Sequence, residues 1–358
     1  MTRREIKGTG RLATRILPLR SIALALVLLG LSAAAAAAHV RWFVDPNDPV
    51  LASFGSYSLT DLPVLIWIGI GVALISAAVL LDGRLPVVTV VPSKTRHDAM
   101  ELLRIFTGMS LLLTAYGGQL IAPHLSAYGG LGTALVFLQA LIGIMLIANR
   151  AVHHAAILTI ILFLGAMLKF GFIAVFEYVS LLGIALFLLF NHVPSETLRL
   201  KLKPYSVDVL RIFTGISLVV LGVSEKLAGA VLGQAFIAQY AWNFMPALGF
   251  EWYTDQLFVL SAGAMEVIFG IIMILGVVTR LNTLAIAAVM FASNIVFLIT
   301  DQRDQALLEL VGHMPMIATA LILLLLGYGQ RLKLPNPSLR REPAAASHVA
   351  GPLQAPAQ

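Results

Sequence analysis

An acidic residue, Glu266, stands in the middle of a long apolar stretch of the chain. An ionised side chain costs about 2.5–3.5 kcal/mol at the centre of a membrane helix, so its presence there asks for a chemical reason. Gly263 and Gly270 lie three residues before it and four residues after it, on one helix face, where they let a second helix approach closely. A carboxyl group in this position can hold or pass on a proton. Glu266 is therefore the first candidate for a catalytic group.

Two further polar residues, Asn294 and His313, lie inside the next two apolar stretches. Pro315 follows the histidine by two residues and frees a backbone carbonyl one turn earlier. A carboxylate and an imidazole close together can accept the protons that a quinol releases on oxidation. The same groups can instead serve as hydrogen bonds that hold helices together. The catalytic interpretation assigns Glu266 and His313 to chemistry and Asn294 to ligand binding, and the structural interpretation stays open beside it.

Two acid–base pairs, Glu101 with Arg104 and Asp208 with Arg211, have i,i+3 spacing, which places both charges on one helix face. Each pair can neutralise itself near a membrane interface and anchor the helix, or its arginine can meet an anionic ligand. Lys226 ends the apolar stretch that contains Arg211 and offers a second positive charge. The predicted ligand-binding residues are Arg211, Lys226, Asn294, Gly263 and Gly270.

Residue composition restricts the possible cofactors. The 358 residues include no Cys, which removes disulfides, thiolate metal sites and thiolate-bound iron–sulfur clusters. Haem in a helix bundle needs paired axial ligands, and only His313 lies well inside an apolar stretch, so no haem is predicted. The one metal ligand considered is His39, whose amine and ring could chelate copper if an upstream signal were removed. Otherwise no metal site is predicted.

The elements that must position these residues are membrane-spanning helices. Apolar residues make up 59% of the chain and charged residues 12%, about half the charged fraction of soluble proteins. Runs of about 20 apolar residues are long enough to cross a bilayer. The fold class predicted is an all-α polytopic membrane protein with ten spans: 19–39, 62–82, 99–120, 129–149, 154–168, 173–190, 207–227, 256–279, 281–300 and 307–328.

Charge predicts the orientation of these spans. If the N-terminus lies in the cytoplasm, every inner loop carries Lys or Arg, as the positive-inside rule requires. All four tryptophans then lie at the outer interface: Trp42, Trp67, Trp242 and Trp252. This predicts a bacterial cytoplasmic (inner) membrane protein with a cytoplasmic C-terminus. Residues 1–38 are either an uncleaved first span or a secretory signal that ends in Ala36-Ala37-Ala38.

An internal duplication divides the chain. Leu103–Leu111 recurs as Leu210–Leu218 with eight of nine residues identical, and Gln139 with Gly143 aligns with Glu266 and Gly270. Four spans is an even number, so both copies run in the same direction through the membrane. The predicted units are a two-span N-terminal unit (1–98), a first four-span unit (99–198), a second four-span unit (199–341) and a disordered cytoplasmic tail (342–358).

Four stretches of the second unit carry a resemblance to a known family: Leu210–Gly215, Glu225–Leu227, Gly263–Gly270 and Gly276–Leu281. They resemble the DoxX/DoxD family of small bacterial four-helix membrane proteins. The first unit resembles it more weakly, with Gln139 where Glu266 stands. The resemblance implies an accessory or quinone-interacting subunit of a membrane oxidoreductase, linked in some members to thiosulfate oxidation and in others to oxidative-stress assemblies.

The leading prediction is a membrane subunit that binds quinone or a lipid-like ligand in the outer leaflet, serves a protein redox partner and is not catalytic alone. A small-solute transporter or permease is the first alternative, because parallel repeats and midplane polar groups are compatible with transport. A non-catalytic scaffold is the second. Nucleic acid is not an expected partner, since the basic residues do not gather on one face. The ligand, the partner and the oligomeric state stay open.

Overall fold

The computed structural model describes residues 40–82, 84–85, 91–327 and 330–334. Within these ranges the protein is helical and contains no strand. Eight helices are long and apolar enough to cross a membrane, which confirms an all-α polytopic membrane protein. The first of the ten predicted spans, the signal-peptide alternative and the predicted disordered tail lie outside the described residues, and so does His39.

The helices, numbered in chain order, follow the predicted apolar runs closely. They are α1 (Leu62–Leu81), α2 (Ser93–Tyr116), α3 (Gly129–Ile147), α4 (Val152–Phe170), α5 (Phe172–Phe176), α6 (Ser180–His192), α7 (Glu196–Leu202), α8 (Ser206–Leu221), α9 (Ala230–Tyr240), α10 (Asp255–Leu275), α11 (Thr279–Ile299) and α12 (Arg303–Leu326).

Two of the predicted spans contain irregular backbone. The predicted span 173–190 is divided into α5 and α6 by the turn at Glu177–Val179. The predicted span 207–227 begins as α8 and ends in a π-helical segment, Gly222–Ala228. Irregular backbone at membrane depth is tolerated where it is buried in protein or lines a cavity. Both irregularities prove to line the same cavity.

Glycines bring pairs of helices into close contact in both four-span units. A Cβ atom on Gly270 of α10 would lie 2.7 Å from the carbonyl oxygen of Gly215 on α8. A Cβ atom on Gly143 of α3 would lie 2.8 Å from the carbonyl oxygen of Gly108 on α2. These separations are too short for any side chain, so all four positions require glycine. The close approach expected beside Glu266 is present, and α8 is the partner helix.

The paired arginines make the same tertiary contact in each unit. Arg104 donates to the Ile147 carbonyl at the end of α3 at 3.0 Å, and Arg211 donates to the Ile274 carbonyl at the end of α10 at 2.8 Å. Each arginine also donates to the preceding carbonyl, of Leu146 and Met273 respectively. Because the carbonyls at a helix C-terminus have no partner within the helix, these guanidinium groups satisfy them. The shared contact agrees with a duplication, and the domain boundaries stay a prediction.

Aromatic side chains gather at one end of the bundle, which we call the aromatic end. Helix α9 and the N-terminal segment 40–54 pack together there, with Val40 and Val44 against Leu232 and Ala235. Helix α9 therefore lies between the seventh and eighth predicted spans, and much of it is buried against the bundle. The clustered rings belong to Trp42, Phe43, Phe236, Tyr240, Trp242, Phe258 and Phe297.

Candidate functional site

A cavity of about 280 Å³, which we call the central cavity, lies between the two four-span units and reaches the aromatic end. Its walls are mainly aliphatic and aromatic. Cavities of this kind bind small molecules when a few polar groups converge on an apolar space. The ionisable groups that line it are Glu177, Glu225, Lys226, Glu266, Glu309 and His313.

The first set of polar residues is Glu225, Lys226 and Glu266, which we call the lysine group. The Nζ atom of Lys226 lies 2.9 Å from Oε1 of Glu266 and 3.4 Å from Oε2 of Glu225. Glu225 is fully buried, and its Oε1 also accepts the backbone N–H of Val40 at 3.1 Å. Buried charges persist only when they are paired and hydrogen-bonded, and here one ammonium group contacts two carboxyl groups. Glu266 and Lys226, two of the predicted site residues, are therefore in direct contact.

The π-helical segment places Glu225 and Lys226 at the cavity. Segments of this kind are rare and occur frequently at functional sites. Gly263 of α10 faces this segment, and a Cβ atom there would lie 2.7 Å from Cβ of Lys226. Without a side chain at Gly263, the backbone of α10 comes close enough for Lys226 to reach Glu266 on the next turn. The predicted role of Gly263 as a ligand-binding residue stays a prediction, while its packing role is visible.

The second set is Glu309, His313, Trp42 and Tyr178, which we call the histidine group. The Nδ1 atom of His313 lies 2.9 Å from the backbone oxygen of Glu309 and 3.4 Å from its Oε1. The Trp42 indole lies 5.8 Å from the His313 ring, centroid to centroid, and its Nε1 donates to the Tyr178 hydroxyl at 3.3 Å. Because Glu309 and His313 are one turn apart on α12, they face the cavity together. His313 is the third predicted site residue at this cavity.

Glu177 extends the site into the first four-span unit. It sits in the break between α5 and α6 with 1% of its surface exposed. Its Oε1 accepts the Ser224 hydroxyl at 2.7 Å, and its backbone carbonyl accepts the Ser217 hydroxyl. The sequence analysis did not predict Glu177, Glu225 or Glu309 as site residues. A sequence signal existed for two of them, since Glu177 and Glu309 are each an acid within the last apolar run of a four-span unit.

Four of the five predicted ligand-binding residues do not line the central cavity: Arg211, Asn294, Gly263 and Gly270. Arg211 is fully buried. It lies far from Lys226, because the 15 helical positions that separate them span about 22 Å at 1.5 Å per residue. It bonds to helix-end carbonyls and to Asp208 at 3.3 Å. Asn294 donates to the Met290 carbonyl of its own helix at 3.3 Å. Gly270 lies at the α8–α10 contact. The structure thus brings together Glu266, Lys226 and His313.

The first unit has neutral side chains at the positions of the ion pair. Gln139 aligns with Glu266 and is fully buried. Its amide donates to the Thr114 hydroxyl at 2.7 Å and to the Gln119 carbonyl at 3.2 Å, and it accepts from a backbone N–H. Gln119 occupies the position that corresponds to Lys226 at the repeat offset. The positions of the Lys226–Glu266 ion pair therefore carry no charge in the first unit.

The N-terminal segment covers part of the cavity wall. Val40, Trp42 and Phe43 line the cavity, and the Trp42 indole lies against Gly312, where α12 has no side chain. We expect Trp42→Ala to open the cavity toward the aromatic end, since it removes the ring that touches both Tyr178 and α12. The chain has no Cys, so a single cysteine introduced by Ala262→Cys in the cavity wall reports access.

The measurement is the rate at which a polar maleimide labels this cysteine in purified protein. Adding Trp42→Ala should raise the rate several-fold. Trp252→Ala is the matched control, because Trp252 is 67% exposed and does not line the cavity. If both tryptophan variants label at the rate of the parent protein, Trp42 does not restrict access.

One comparison with known proteins identifies a domain. Residues 206–298 match the family model for DoxX. This part of the chain is a DoxX-like domain. The DoxX domain contains α8, the π-helical segment, α10 and most of α11, and therefore the whole lysine group. Glu177, Glu309 and His313 lie outside the matched residues, so three of the six ionisable lining groups named above come from elsewhere in the chain, and so does Trp42. No curated protein and no solved structure matches the chain.

Proposed function

We propose that this DoxX-like protein is a subunit of an oxidoreductase in the bacterial cytoplasmic membrane and binds quinone or quinol in the central cavity. The observation that carries the proposal is an apolar cavity with Glu266, Lys226 and His313 in its wall. Its volume of about 280 Å³ is slightly below the range of about 300–1,000 Å³ that is usual for ligand cavities. A flat ring with an apolar tail suits such walls, and few polar groups are needed to orient it.

The lysine group supplies the proton chemistry that quinol oxidation requires. A quinol releases its protons as it loses electrons, and a carboxylate within hydrogen-bond reach can accept them. Glu266 is the proposed acceptor, since 31% of its side chain is exposed whereas Glu225 is fully buried. Lys226 stays paired with Glu225 when Glu266 takes up a proton, so no buried charge is left alone. The chain has no cysteine for a thiol relay, so the electrons leave to a protein redox partner.

We expect Glu266→Gln to weaken quinol binding about tenfold or more, because the ionised carboxylate accepts from a quinol hydroxyl and a hydrogen bond to a charged group contributes about 1.5–3 kcal/mol. The measurement is titration of purified full-length protein with a short-chain quinol, followed by quenching of tryptophan fluorescence. Quinol turnover with the redox partner should fall about a hundredfold, the usual contribution of a general base.

Glu251→Gln is the matched control, since Glu251 is an exposed acid that does not line the cavity. It should bind the quinol as the wild type does. Equal binding by Glu266→Gln and wild type would remove the acid from the site. Lower thermal stability without any change in binding would favour the scaffold alternative, and solute uptake by proteoliposomes without a redox partner would favour the permease.

A further inference from the structure

Helix α11 is attached to the rest of the second unit near its two ends. Near its start, the buried side chain of Asn282 donates to the Phe269 carbonyl of α10 at 2.9 Å. Near its end, Phe297 is buried at the aromatic end, and its ring centroid lies 5.6 Å from that of Phe43 and 6.1 Å from that of Phe236. The two attachments are 15 positions apart. At 1.5 Å per residue, about 22 Å of helix lies between them.

Between these attachments α11 forms a loosely packed wall of the central cavity. Among the residues of 284–296 whose side chains the structure describes, none is buried. Ile286 and Val289 line the cavity all the same, and Val289 is 49% exposed. On α10, Met265 and Phe269 also line the cavity and are half-buried. Side chains that line a cavity and are also exposed mark the place where its wall reaches the protein surface. We call the gap between these four residues the lateral window.

The lateral window lies at the depth of the lipid tails. Val289 is the eleventh of the 21 residues of α11, so it lies about 15 Å from either end of the helix. The hydrocarbon core of a bilayer is about 30 Å thick, which places this residue near its centre. Helix α11 packs more extensively against α12 than against α10, so the open side of the helix is the side next to α10. Only a molecule that dissolves in the hydrocarbon core can reach a gap at this depth from outside the protein.

We infer that the central cavity opens sideways into the bilayer through the lateral window, and that its ligand is a lipophilic molecule that enters between α10 and α11. The inference goes beyond the proposed function, because it concerns how a ligand reaches the cavity and does not depend on redox chemistry. It also separates this ligand from the water-soluble solute of a permease, which would have to enter at an end of the bundle.

The test uses Ala262→Cys as the parent protein, since Ala262 lines the central cavity and the chain has no other cysteine. The full-length protein is placed in lipid nanodiscs that contain a phospholipid with a maleimide at the end of one acyl chain. This probe reaches a thiol only from the interior of the bilayer, and it should label the parent protein. Adding Val289→Trp places a bulky ring in the lateral window, and it should lower the labelling rate about fivefold or more.

Leu284→Trp is the matched control, because Leu284 is a 56% exposed residue of the same helix that does not line the central cavity. It should leave the labelling rate of the parent protein unchanged. A polar maleimide added from the water phase shows that the variant is folded, since it arrives at the aromatic end. Its rate should be the same for Val289→Trp and the parent. Trp42→Ala should raise the rate of the polar probe alone.

Three results would overturn the lateral route. One is labelling of the parent protein by the polar probe but not by the lipid-attached probe. Another is an equal rate for the lipid-attached probe with and without Val289→Trp, and the third is a fall in the rates of both probes by the same factor. None of these measurements involves a quinol, so each of these results would leave quinol binding in place. Absence of quinol binding by the wild type would overturn the proposed function and leave the lateral window in place.

Discussion

Asp208→Asn is expected to lower the free energy of unfolding by about 3–5 kcal/mol, because it leaves the buried charge of Arg211 without its counter-ion. The side chains of Asp208 and Arg211 are 1% and 0% exposed. The carboxylate also accepts the backbone N–H groups of Arg331 and Leu332 at 3.0 and 3.2 Å. One substitution therefore weakens the attachment of three segments, namely α8, the end of α10 and residues 330–334.

Unfolding of the purified protein in mixed micelles, followed by circular dichroism, measures this loss. Asp301→Asn is the matched control, since Asp301 pairs with Arg303 on the surface and both side chains are more than 80% exposed. Exposed pairs contribute about 0–1 kcal/mol, so the control should change little. A similar small change in both variants would show that the Asp208–Arg211 pair does not hold the bundle together.

Gly270→Ala is expected to cost about 3 kcal/mol and to weaken quinone binding. The added Cβ atom would lie 2.7 Å from the Gly215 carbonyl oxygen and 2.9 Å from the Val219 backbone nitrogen. Backbone atoms of a packed helix cannot move aside as a flexible side chain can, so α8 and α10 must separate, and overpacking of this kind costs about 1–3 kcal/mol. Separation also moves Lys226 away from Glu266, because the two residues lie on these neighbouring elements.

Gly69→Ala is the control for this helix contact. Gly69 is a helical glycine of α1, and a Cβ atom there would meet no atom within 4 Å. Alanine favours the helix by about 1 kcal/mol over glycine, so this variant should be as stable as wild type or slightly more stable. The measurements are the thermal midpoint and the dissociation constant for a short-chain quinone. Equal midpoints for the two variants would contradict the proposed role of the glycine contact.

The helices of this protein could be predicted well because each depends on local properties. A run of about 20 apolar residues is helical at membrane depth, since the backbone there must satisfy its own hydrogen bonds. The i,i+3 spacing of Asp208 and Arg211 correctly places the pair on one face, and Gly263 and Gly270 correctly indicate a close helix contact. The prediction of a single helix at 173–190 was too simple, since apolar composition alone does not indicate the break at Glu177–Val179.

The site could be predicted only in part, because depth and partner choice depend on the whole bundle. Arg211 and Lys226 lie on one continuous apolar run and were both predicted to bind the ligand, yet about four turns of helix separate them. Asn294 was predicted to bind the same ligand as Glu266, but its side-chain amide donates a hydrogen bond to a carbonyl of its own helix. In contrast, the contribution of Glu225 to the site is visible only in the structure, where the π-helical segment places it beside Lys226 and the backbone of Val40.

The sequence by itself determined the class of the protein, the position of most helices, the duplication and the presence of an acid, Glu266, within a membrane-spanning helix. Each of these depends on residues within a helix turn or on a repeated pattern. Only the tertiary structure decided which polar groups share a cavity. Trp42 meets Tyr178 across 136 positions, and Val40 meets Glu225 across 185. Contacts at such distances in the chain arise from helix packing, which joins residues that no local pattern connects.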